Sequence, residues 1–235
     1  WSLPIMNGEG PHPISDACDF ARFCSNLDFW VSTDHAEAQT PRKWKSIKEA
    51  VRSCNASTDN KEPDLVTFLG FEWTQVGNNA ENHYGHKNVM FLDTEESKVP
   101  KRPIGAGGIA TNGMRNTLPN QAKMLRPAAF LDFENRHRYF NFLSFAEELQ
   151  GGKYCEEGVN SSLLDDDCYE SADTPEDLFR KLNELNFPAI VIPHGNTWGF
   201  YSPPGITLDK QIERGFNDDN LQILFEVMSG HGNSE

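Results

Sequence analysis

Apolar positions in this chain gather in short runs that stop abruptly on an acid or an imidazole. Leu27-Asp28-Phe29-Trp30-Val31-Ser32-Thr33 is aromatic and β-branched and stops at Asp34-His35. Such a run reads as a buried parallel strand that delivers polar side chains to the rim of an α/β fold. Leu65 to Phe71 predicts a second strand, ending at Glu72-Trp73-Thr74, and Asn88 to Leu92 a third, headed by His86. Ala189 to Ile192 is a fourth, ending at Pro193-His194-Gly195-Asn196. Ile223 to Met228 is a fifth, ending at Ser229-Gly230-His231-Gly232-Asn233.

Between these runs the apolar period lengthens. Trp44, Ile47, Val51 and Cys54 form one stripe, predicting a helix from Lys43 to Cys54. Ser15 reads as the N-cap of a helix through Ala21, with acids in its first turn. Glu134 to Leu149 is a further helix, stopped by Gly151-Gly152. Thr174-Pro175-Glu176-Asp177 is a strong helix start, and Leu178, Leu182 and Leu185 carry its buried face. Helices alternating with apolar strands imply α/β architecture with a mostly parallel sheet or barrel. Pro100 to Asn120 is rich in Gly, Pro and Asn and reads as a long surface excursion, reaching about residue 133. Gly105-Ala106-Gly107-Gly108 lacks the trailing Lys-Ser/Thr of a phosphate loop, so no nucleotide role follows.

With 235 residues the chain has room for one large domain, read here as spanning 1–235. Its formal net charge of −14 repels polyanions and argues against nucleic acid. A small substrate is expected, and an anionic one needs local positive charge such as a metal. No apolar run approaches the roughly 20 residues of a membrane span. Five cysteines without a C-x-x-C pair argue against a zinc knuckle. Cys18 and Cys24 read as small core residues. Cys155 and Cys168 flank a polar loop, and a disulfide closing it is expected if the protein is exported. A periplasmic or secreted location is therefore preferred over the cytoplasm. Asn160-Ser161-Ser162 matches a glycosylation acceptor, relevant only in a eukaryotic secretory host.

Candidate chemistry follows from the repeated layout. His35, Glu72, His194 and His231 each end an apolar strand. His86 heads another, consistent with a strand running the other way or with its loop folding back over the rim. Three imidazoles and a carboxylate on one rim are what a zinc, manganese or iron site needs, since the carboxylate can bridge two ions. Each has a plainer reading. A lone histidine after a strand is usually a hydrogen-bonded loop residue, and Glu72 alone could pair with an arginine. His83 could join His86 as a two-ligand pair, but a loop role is preferred. Glu226 could orient ligands from behind or be a satisfied core acid. Trp73, Trp198, Phe200 and Tyr201 read as pocket wall or core, and His12 and His137 as solvated surface.

Thr33-Asp34-His35, Phe71-Glu72-Trp73-Thr74, His86-Lys87-Asn88-Val89, Ile192-Pro193-His194-Gly195-Asn196 and Phe225-Glu226…His231-Gly232-Asn233 resemble, in this order, the motifs of the PHP (polymerase and histidinol phosphatase) superfamily. Within it they resemble a large bacterial group of PHP-like domains of unknown function. The resemblance implies a distorted (β/α)7-type barrel with two or three divalent ions (Zn, Mn or Fe) on its rim. It implies that His35, Glu72, His86 and His194 are metal ligands, with Glu72 bridging. Asp34 would support the site from beside His35 and, with His231, is a candidate for catalysis, while Glu226, Asn196, Asn233 and His83 would stand behind the ligands or contact substrate. The superfamily opens with a His-x-His, and Trp1-Ser2-Leu3 resembles the residues just after it. A late Asp-x-His would lie past Glu235. The chain is therefore expected to be a fragment, incomplete at both ends.

The expected activity is hydrolysis of a small phosphoester by a metal-bridging hydroxide. The alternatives are a metal-dependent hydrolase of an amide, lactone or sulfate ester, or a metal-binding domain without catalysis.

Overall fold

The computed structural model describes residues 3–6, 8, 12–58, 61–195, 202–213, 215–230 and 232–233. A short helix, α1 (Ile14–Asp19), runs into an irregular turn and then β1 (Phe29–Ser32). Next comes α2 (Pro41–Ala56), which starts where Thr40 accepts a hydrogen bond from the Lys43 amide and Pro41 sets the first turn. It buries Trp44, Ile47, Val51 and Cys54, the stripe expected from their spacing. The Trp44 indole N–H donates to the Pro100 carbonyl at 3.0 Å, and its ring meets Phe71 edge-on.

The strands β2 (Val66–Thr74) and β3 (His86–Phe91) follow, then β4 (Ile104–Ala106). Four helices come next: α3 (Ile109–Asn112), α4 (Leu118–Ala122), α5 (Arg126–Leu131) and α6 (Arg136–Gly151). The chain continues through β5 (Lys153–Tyr154), β6 (Cys168–Ala172), α7 (Pro175–Leu185) and β7 (Ala189–His194), and a small hairpin pairs β8 (Met228–Ser229) with β9 (Gly232–Asn233). Thr174 caps α7 by accepting from the Asp177 amide, and Asn186 ends it in the left-handed region at φ 55°.

The main sheet has the order β1-β2-β3-β7. β1 and β2 are parallel, while β3 is antiparallel to both β2 and β7. Three strands thus end on the same edge, and β3 begins there. A second, parallel sheet has the order β4-β6-β5. The fold is mixed α/β, and among the described residues the strands do not close into a barrel.

The two sheets share one core. Leu69, Phe71, Trp73, Val89 and Val191 of the first pack with Ile104, Ala106 and Ala172 of the second. The Trp73 indole donates to the Ala172 carbonyl at 3.0 Å, and a bridge joins Val76 to Gly108. Gly70 permits the tight pairing at the sheet centre. A Cβ there would stand 2.5 Å from the Val89 carbonyl oxygen and 3.0 Å from that of Ser32.

Several expectations need correction. The run 223–228 forms no fifth strand: only its last residue, Met228, enters the two-residue β8, and Ile223, Leu224, Phe225 and Val227 are exposed. Among the described residues one backbone bond, from the Val191 amide to the Leu221 carbonyl, joins this segment to the outer edge of β7. An apolar run becomes a strand only where a second ladder and an opposing layer receive it. The stretch 100–133 is not a loose excursion. It contains the fully buried β4 and three helices. β6 went unforeseen because its Glu170 looks like a surface residue, yet that carboxylate is buried against Arg102 at 2.9 Å and Lys181 at 3.1 Å. Helix α1 starts at Ile14 without a side-chain cap from Ser15. Cys18 is not a lone core thiol but bonds Cys54, and Cys24 is exposed rather than buried. Cys155 bonds Cys168.

Candidate metal centre

Register decides which side chains meet. Residues directly opposite in a ladder point to one face, and alternate residues share it. Thr74 pairs with His86, and His86 pairs with His194. Glu72, two residues before Thr74, is on that same face and bridges to His35, where the chain leaves β1. Four side chains from four segments therefore gather at one edge of the main sheet. A slip of one residue in β3 would send His86 to the opposite face.

The carboxylate of Glu72 sits between two imidazoles. Its Oε1 lies 2.7 Å from His86 Nδ1 and its Oε2 lies 3.3 Å from His35 Nδ1. The His86 and His194 rings are 6.3 Å apart, centre to centre. Glu72 and His86 are buried, His194 is half-buried, and His35 is exposed, so the cluster meets solvent on the His35 side. Burial pushes the Glu72 carboxyl up. The hydrogen bond from His86 and the charges of His35, His86 and His194 outweigh that and bring it below its ordinary value, so it is a carboxylate at neutral pH.

A further ring of contacts orients these groups. Thr74 Oγ1 is 2.6 Å from His35 Nδ1, and Glu226 Oε2 is 2.5 Å from His194 Nδ1. Glu226 does this from an irregular segment, not from a buried strand. The Asp34 side chain accepts from the Ser32 hydroxyl at 2.8 Å, and its carbonyl accepts from the Glu72 amide at 3.1 Å. His83 is buried in the β2–β3 connection, where its Nδ1 accepts from the Gly77 amide at 3.2 Å. Burial, with the charges of His86 and Lys210, pushes His83 down to about 4, so it is neutral. That contact ties its ring to the backbone of the β2–β3 connection.

Two residues escaped the sequence reading. Glu37, fully buried, accepts from the Thr74 amide at 2.9 Å and the Ala106 amide at 2.5 Å, tying the end of β2 to the second sheet. The sequence marks Thr74 only as the end of a strand. Nothing in Ala36-Glu37-Ala38 marks a buried acid. His231 and Asn196, the side chain of Asn233, and Trp198, Phe200 and Tyr201 lie outside the described residues. His12 and His137 are exposed, as expected.

Among the described residues no three His, Cys, Asp or Glu side chains are arranged as ligands around an ion. Carboxylate and imidazoles instead face one another in pairs. Their chemistry nevertheless suits a borderline divalent ion, with imidazole nitrogens on both sides of an ionised carboxylate. No protein-family model, curated protein or solved structure matches the chain.

Proposed function

We propose that this chain is a metal-dependent hydrolase of the PHP type, acting on phosphoesters, with His35, Glu72, His86 and His194 holding the ions. The observation that carries this reading is the carboxylate of Glu72 in contact with both His35 and His86, beside His194, at the edge where β1, β2 and β7 end. In this reading the two larger sheets, linked by the Val76–Gly108 bridge, are parts of a distorted (β/α)7-type barrel that the described strands do not themselves close. Two or three divalent ions bound here would supply an acidified water and charge neutralisation for a phosphoryl group.

The chain's own residues prepare that chemistry. Glu72, held ionised, offers two oxygens to opposite sides. Thr74 and Glu226 hold His35 and His194 by Nδ1, which sets the ring orientations, as outer partners of metal-binding histidines do. Glu37 fixes the backbone at Thr74 and so fixes the partner of His35. Asp34, Asn196, Asn233 and His231 are the substrate-side candidates. Two disulfides favour an oxidising compartment, periplasmic or extracellular. No helix among the described residues is long and apolar enough to cross a membrane.

The test is metal analysis of the purified full-length protein followed by assay on p-nitrophenyl phosphate and its diester, with amide, lactone and sulfate-ester analogues beside them. Metal should bind, and phosphoesters should turn over. Glu72→Gln and His86→Ala should each lower both by at least tenfold while the protein still melts cooperatively. A folded, metal-loaded protein inert to every phosphoester overturns the phosphoesterase reading, and turnover of one of the other analogues would replace it.

A further inference from the structure

Asp34 and His35 also line a cleft of about 850 Å³. That is near the upper end of the roughly 300–1,000 Å³ typical of small-molecule sites. Twelve of its eighteen lining residues are apolar. They include Leu118 of α4 and Phe142, Phe145 and Leu149 of α6, and Ala38 and Ile47 line it as well. Lys43 lies on the lining too, its Nζ 5.7 Å from the centre of the Phe145 ring. The segment between β4 and β5 therefore supplies much of an apolar chamber that shares two residues with the candidate centre.

Chamber and centre make different demands on a ligand. The centre suits a compact anion. The chamber, apolar at twelve of its eighteen lining residues, offers the hydroxyls of a sugar phosphate few partners, at a cost for each one buried without one. An apolar chain there instead removes hydrocarbon from water on both sides. We propose that the chamber holds the apolar group of the substrate, so that the site takes amphiphilic phosphoesters with the phosphoryl group beside His35 and an alkyl or aryl group in the cleft. This rests on the hydrolase reading above. In such a reaction a phosphomonoester dianion and one water give an alcohol and hydrogen phosphate. The P–O bond to the alkyl oxygen breaks, that oxygen gains a proton, and the apolar alcohol is released from the chamber.

Calorimetric titration of the full chain with butyl, hexyl and octyl phosphate tests the chamber without requiring turnover. Each methylene taken from water is worth about fourfold in affinity, so octyl phosphate should bind on the order of a hundredfold tighter than butyl phosphate. Ala38→Phe, which fills the chamber, should cut the octyl-to-butyl ratio at least tenfold. Met114→Glu, at a half-buried lining position, should do the same if the first variant does not fold, as checked by melting temperature. A ratio near one overturns the proposal, as does a ratio unchanged in a folded chamber variant. If chain length governs binding but no phosphoester is ever hydrolysed, the chamber stands and the hydrolase reading falls. If phosphoesters are hydrolysed with kcat/KM indifferent to chain length, the hydrolase reading stands and the chamber proposal falls.

Discussion

Glu37 accepts backbone hydrogen bonds from Thr74 in one sheet and Ala106 in the other. Removing an acceptor leaves each buried N–H unsatisfied, so Glu37→Ala should cost about 2–4 kcal/mol in urea unfolding. Glu37→Gln keeps an acceptor oxygen and should cost about 1 kcal/mol or less at neutral pH. Burial raises the Glu37 carboxyl above its ordinary value, with the two amide bonds opposing. A raised acid holds its proton more tightly when folded. Its stabilisation is therefore complete below about pH 4.5 and is lost as pH rises through the folded value. The stability difference between wild type and Glu37→Gln should shift against wild type across that window. Lys87 shows the opposite sign. It points away from His86, fully buried, with Nζ donating to Gln211 at 2.5 Å and Gln222 at 3.0 Å. Burial pushes it down to about 7. Between about pH 7 and 10.5 the unfolded chain holds a proton that the folded chain has released, so stability rises with pH there. Denaturant melts at pH 7 and pH 9.5 should show wild type gaining on Lys87→Met.

At the scale of elements, the disulfides close loops of different length. Cys18–Cys54, with a sequence separation of 36, ties the first helical segment to α2, and Cys155–Cys168, with a separation of 13, closes the polar loop before β6. Loop-closure entropy gives about 4 kcal/mol for the first and about 3 kcal/mol for the second. Thermal melts of the two paired Cys→Ser variants should keep that order, with Cys18→Ser/Cys54→Ser the more damaging. The pairing of Cys155 with Cys168 was legible because a polar loop runs between them. The pairing of Cys18 with Cys54 was not, since sequence places both on apolar helix positions and only packing brings two helices to bonding distance.

For the whole molecule, the shared edge depends on close strand contact. Gly70→Ala would push β2 away from the carbonyl oxygens of Val89 and Ser32, spreading the sheet at the level of the cluster. It should cost roughly 1–3 kcal/mol in denaturant melting, and under the proposed metal-centre reading the same preparation should bind less metal on analysis. The native protein should also titrate one thiol, Cys24, with Ellman's reagent, and five after reduction and denaturation.

Local patterning was enough to place β1, β2, β3, β7, α2 and α7, because period-two and period-3.6 apolar runs with turn residues at their ends leave few other options. It also marked His35, Glu72, His86 and His194 as candidates, since an imidazole or acid at either end of an apolar run is visible in one dimension. Register, the antiparallel course of β3 and the partners Thr74, Glu226 and Glu37 were decided only in three dimensions. They depend on which strand edges meet, and no short stretch of sequence encodes its neighbour. The failure at 223–228 has the same cause: an apolar run favours burial, but without an edge and an opposing layer to receive it this one stays exposed.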